Sequence, residues 1–206
     1  TRMAALGVEL RDREGLGVMA LTGVHQDGDA NLARAVFERA GIPVHVKPLT
    51  QREEDFIYDA VRQTRASGIV FDIRTSLAPA VLDTLHASGI SIVVIDDATA
   101  RRLKADIAVY PPVPQALELD WHAFGGELLV GPQWVLLPRS VALHTLSLNL
   151  KHEERLLVSL GASDPLRLTE SIARACAAAV SAPIDVIIGP SFADADEISK
   201  RLGENP

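Results

Sequence analysis

Short apolar runs, each followed by a stretch of helical periodicity, recur along most of this chain and limit what it can fold into. LGVMALTG (16–23), GIVFD (68–72), SIVVIDD (91–97), RLLVSLG (155–161) and PIDVIIG (183–189) have the length and composition of strands. Helices are predicted over 2–14, with Met3, Leu6 and Leu10 on one side, and over 29–40, with Asp29 near the cap and Gly41 closing it. In the second of these Leu32, Val36 and Ala40 face inward. Further helices are predicted over 52–66, stopped by Ser67-Gly68, over 77–88, stopped at Gly89, and over 166–180 and 194–202. Residues 42–46 and ADIAVY (105–110) add short strands, and 115–145 is less periodic. Strands alternating with helices predict parallel sheets joined by right-handed crossovers, an α/β fold.

Hydrophobic residues make up 48% of the chain and aromatic residues only 4%, so the core is predicted to be Val, Ile, Leu and Ala. That mixture suits buried parallel strands covered by helices. The polar stretch LNLKHEERL (148–156) precedes a fresh strand and marks a division near residues 145–154. The expected domains are 1–149 and 150–206. The second, of about 55 residues with two strand–helix units, is small for an independent core and is expected either to pack on the first or to begin a longer domain. The first predicted helix starts at Thr1-Arg2, so a strand and loop that feed it are expected upstream of this sequence.

The chain has 20 Lys and Arg against 27 Asp and Glu, a formal net charge of -7, and no basic stripe. This balance argues against a nucleic-acid partner. A small anion remains compatible with it, because backbone N–H groups hold phosphate without net positive charge. Cys176 is the only cysteine, which excludes intrachain disulfides, and its apolar helical setting predicts a buried structural thiol. No apolar run reaches the roughly 18 residues of a membrane span and no signal peptide is evident, so a cytoplasmic location is expected.

Open α/β sheets bind ligands at the carboxyl ends of their strands. That rule selects Gly23, Asp72, Asp96, Asp97 and the turn Gly161-Ala162-Ser163-Asp164-Pro165. Two readings stand for the turn. Glycine permits a close backbone approach and the following helix start favours an anion. Equally, Ser163 or Asp164 caps that helix, with Pro165 in its first turn. Asp96-Asp97 are either paired carboxylates for a divalent ion or acid–base work, or a helix cap and a carboxylate paired with nearby Arg101 or Arg102. Asp72 carries the same alternatives. The six histidines lack zinc spacing, and one cysteine excludes a thiolate cluster, so no metal is predicted. His25 and His122 are the histidines placed to face a cleft, without an identifiable orienting partner; His45 is read as structural, His86 falls in a helix, and His144 and His152 fall in the polar connection.

Several segments, in order, resemble the nucleotide-sugar hydrolases of pseudaminic acid biosynthesis and the related spore coat polysaccharide biosynthesis proteins. LLVSLGASDPLRLTES (156–171) is similar to the family's strand, Gly-Gly-Ser-Asp-Pro turn and Asn-Leu-Thr, with Ala162 and Arg167 as departures. LLVGPQWVLLPRS (128–140), SIVVIDDATARRLKADIAV (91–109) and TRMAALGVELRDREG (1–15) resemble three more segments, the last matching a Gly-x-Gly-His-x-x-Arg motif from Arg2 onward.

The resemblance implies a GT-B-like fold of two Rossmann-like domains, the second incomplete here, and a nucleotide-sugar partner. It implies hydrolysis of a nucleoside diphosphate-activated amino or deoxy sugar, UDP-sugar-like, in surface polysaccharide or nonulosonic acid biosynthesis. It implies no cofactor, because GT-B enzymes generally hold diphosphate without a metal. Substrate contacts fall on Arg2, Asp72, Asp96, Asp97, Gly161, Ala162, Ser163, Asp164 and Thr169. The family's catalytic histidine stands upstream of Thr1 and Asp72-Ile73-Arg74 replaces an Asp-His-Tyr, so no residue of this chain is named as the base and the chain alone is expected to be inactive. A GT-B glycosyltransferase and a noncatalytic nucleotide-sugar binding module are the alternatives. The nucleotide, the sugar and the oligomeric state are not specified by the sequence.

Overall fold

Every strand pairing among the described residues is parallel. The computed structural model describes residues 2–23, 29–111, 114–143 and 154–203. The chain divides into two units, Thr1–His144 and Thr145–Pro206.

The first unit opens with α1 (Arg2–Glu14), β1 (Ala20–Thr22), α2 (Asp29–Arg39), β2 (Val44–Val46) and α3 (Glu53–Thr64). It continues with β3 (Gly68–Phe71), α4 (Pro79–Ala87), β4 (Ser91–Ile95), a 3-10 turn (Ala100–Lys104) and β5 (Ile107–Tyr110). A one-turn α5 (Gln115–Glu118), β6 (Glu127–Val130) and α6 (Arg139–Leu143) complete it. The strands form two hydrogen-bonded sheets, β1-β2 and β3-β4-β5-β6. The second unit holds β7 (Leu156–Ser159), α7 (Thr169–Ala179), β8 (Ile184–Ile187) and α8 (Ala195–Gly203), with β7 paired to β8. The architecture is a mixed α/β fold of parallel-sheet segments, Rossmann-like in the generic sense.

The main core lies where α4 crosses the four-stranded sheet. Pro79 sits at the helix start, where its missing N–H costs nothing. Val81, Leu82 and Leu85 then fall on one face and pack with Ile92 and Val94 of β4 and Ala108 of β5. β4 is flanked on both sides, which explains a strand apolar enough to bury Ile92, Val94 and Ile95. Each such side chain contributes about 1.5–3 kcal/mol by leaving water. α3 adds Ile57 to this core and buries Phe56 and Ala60 as well, and its Glu53, Glu54 and Asp55 suit the positive end of a helix.

Several boundaries differ from the sequence expectation. The strand predicted over 16–23 shortens to Ala20–Thr22, because β2 offers only Val44–Val46 as partners. Ile42 is not a strand residue; it packs beneath α1, where a Cβ on Gly7 would stand 2.7 Å from its Cδ1. α3 ends at Arg65, which adopts a left-handed φ of 52°, and Gly68 opens β3 instead of stopping the helix. Cys176 is half-buried rather than buried. The weakly periodic 115–145 stretch supplies β6. Gly126 makes that strand's entry feasible, since a Cβ there would lie 2.4 Å from the Asp106 carbonyl oxygen.

Candidate functional site

In the first unit, Arg2, Asp72 and Asp96 converge at the carboxyl ends of β3 and β4. Arg2 Nε and Nη2 donate to Asp72 Oδ2 and Oδ1 at 2.9 and 2.7 Å. Arg2 Nη1 donates to Asp96 Oδ2. The Asp72 hydrogen bonds, with a smaller contribution from Asp96, outweigh partial burial and hold the guanidinium pKa above its ordinary value. Asp96 has a left-handed φ of 53°, uncommon away from glycine though tolerated best by Asp and Asn. Its carbonyl oxygen accepts from Arg74 Nη1 at 3.1 Å. Asp96 Oδ1 is buried without a hydrogen-bond partner among the described residues.

The reversal at Asp96 sends the next side chain into the protein. Asp97 Oδ1 accepts from the Thr99 amide and hydroxyl at 2.8 and 2.6 Å, and Oδ2 accepts from Arg101 Nε at 2.7 Å. Both side chains of the Asp97–Arg101 pair are 2% exposed. Arg101 Nη1 donates onward to the carbonyls of Thr75 and Leu77, each at 2.8 Å. Tyr110 Oη donates to the Asp97 carbonyl. Burial pushes the Asp97 carboxyl up, but the Thr99 and Arg101 hydrogen bonds prevail and bring it below its ordinary value. Asp96 and Asp97 therefore do not act as a pair of carboxylates on one ligand. Asp97, expected among the substrate contacts, has both oxygens engaged inside the fold.

In the second unit, the turn expected to receive an anion is organised by its own aspartate. Asp164 Oδ1 accepts from the Leu168 amide at 2.9 Å and Oδ2 from the Thr169 amide at 2.7 Å. The helix accordingly begins at Thr169, not at 166. Pro165 lies outside the helix, in a turn closed by the Arg167 amide on the Asp164 carbonyl at 3.0 Å, with Arg167 at a φ of 53°. The expectation that Pro165 fills the first helical turn is thus corrected, because the turn consumes Asp164 through Arg167 before the helix can start. Two amides at the helix start are already bonded, and the Thr169 side chain is fully buried.

Gly161, with a φ of 101°, Ala162 and Ser163 are exposed. The Ser191 amide donates to the Ala162 carbonyl at 2.9 Å. A neighbouring depression of about 160 Å³ is lined by Asp164, Glu170, Asp194 and Glu197 against Arg167 and Arg201. Arg201 Nε is already on Glu170 at 2.8 Å. Carboxylates outnumber guanidiniums there, which disfavours a phosphate in that depression.

Gly23 follows β1 and is half-buried. His25, His144 and His152 lie outside the described residues. His45 and His122 are exposed, and His86 Nε2 lies 3.1 Å from Asp106 Oδ2. Among the described residues no group of three or more His, Cys, Asp or Glu is arranged to hold a metal ion, and no helix is long and apolar enough to cross a membrane.

No family model and no curated protein matches this chain.

Of these networks the Asp97–Arg101 pair is one of the two alternatives the sequence offers for these carboxylates, whereas the Arg74 contact is not among them. In the sequence Arg74 stands out only as a departure from Asp-His-Tyr, although its place two residues after Asp72 puts it beside the same strand end. The complete burial of Arg101 had one usable signal, its i+4 spacing from Asp97. Chemically, the first-unit cluster is closed on itself: Arg2 Nε, Nη1 and Nη2 are all bonded to carboxylates, and Asp96 Oδ1 is buried without a hydrogen-bond partner among the described residues.

Proposed function

We propose that this chain is part of a GT-B-like protein that binds a nucleoside diphosphate sugar and, in its complete form, hydrolyses it. The domains are taken as 1–149, Rossmann-like, and 150–206, the start of a second. The observation that carries the proposal is the convergence of Arg2, Asp72 and Asp96, from positions 70 and 94 apart in sequence, at the carboxyl edge of a parallel sheet. A polar strand edge of this kind is where open α/β sheets receive their ligands. In the second unit, Asp164 occupies the Leu168 and Thr169 amides, so the exposed backbone of Gly161–Ser163 is the part of the turn left for a diphosphate. The family resemblance of the 156–171 segment supports the same assignment.

A noncatalytic binding module is the second reading: Ile73-Arg74 stands where the resembled family has His-Tyr, and Arg74 is engaged by the Asp96 carbonyl. Calorimetric titration with uridine and cytidine diphosphate sugars tests both assignments, with donor consumption then followed in the presence and absence of acceptor sugars. Binding with consumption in water alone supports the hydrolase. Consumption that depends on an acceptor identifies a transferase, and binding without consumption identifies the module. Failure to bind any of these donors overturns the proposal.

A further inference from the structure

We draw no further inference here: the strongest candidate, the uncovered face of the β7–β8 sheet where Leu157 and Ile187 stand exposed, carries nothing because nothing in the structure shows what covers it.

Discussion

Arg2 and Asp72 meet through two parallel hydrogen bonds, Nε to Oδ2 and Nη2 to Oδ1, joining the first turn of α1 to the end of β3. The fork is geometric as well as electrostatic, because a planar guanidinium matches a carboxylate in two places at once. Asp96, on Nη1, makes the arrangement a three-residue brace across two strand ends.

Replacing Arg2 with Met is expected to lower stability by about 1.5–3 kcal/mol, the range for hydrogen bonds to charged groups. Asp72 and Asp96 are then left as facing carboxylates. Arg2→Lys is expected to recover only part of the loss, since an ammonium cannot fork. Urea unfolding of both variants checks this; equal stability of wild type and Arg2→Met refutes the brace.

The Asp97–Arg101 pair is more deeply enclosed, so Arg101→Met, which strands a buried carboxylate, is expected to cost about 3–5 kcal/mol. The pH dependence follows from the depressed Asp97 carboxyl. Its contribution is complete above the unfolded carboxyl range and disappears as pH falls through the lower folded value. Urea midpoints taken from neutral pH down to strongly acidic conditions should therefore fall more steeply in wild type than in Asp97→Asn.

Gly189→Ala is expected to disturb the Gly161–Ala162 turn directly. A Cβ at position 189 would stand 2.4 Å from the carbonyl oxygens of both Gly161 and Ala162, which must shift. Overpacking of this sort costs about 1–3 kcal/mol. Gly203→Ala, where a Cβ meets nothing within 4 Å, is the matched control for thermal melting.

Asp164→Ala is expected to weaken the start of α7, and Asp164→Asn to retain much of it, because an amide oxygen still accepts one N–H. Desolvation raises the Asp164 carboxyl, while bonds from Thr169 and the backbone amides outweigh it and lower its pKa. The stabilisation is therefore present above the unfolded carboxyl range and lost as pH falls through the folded value. Helical circular dichroism of the two variants across acid pH reads the effect.

The elements with a strong period were legible in the sequence. GIVF and SIVVI read as adjacent parallel strands, and Pro79 with Val81, Leu82 and Leu85 as the helix that covers them. What was not legible depended on backbone conformation at residues that rarely show it. Arg65, Asp96 and Arg167 all adopt positive φ without being glycine. Each moved a boundary or a side chain: the end of α3, the divergence of Asp96 from Asp97, and the late start of α7. β6 escaped because its four residues follow Gly126, whose close approach to Asp106 exists only in the folded chain. The carboxyl-edge rule placed Asp72 and Asp96 at strand ends, but that Arg2 would join them depended on where α1 lies in three dimensions.

Among the described residues the two sheets of the first unit share no ladder hydrogen bond. β1 and β2 are three residues each, closed at their ends by Ala20 to Pro43 and Lys47 to Thr22, whereas β3 to β6 form a continuous network over the main core. Regions with fewer buried contacts open at lower free energy and as contiguous groups. The small ladder is therefore expected to open as its own cooperative unit, exposing its amides to exchange while Ile92 and Val94 stay closed.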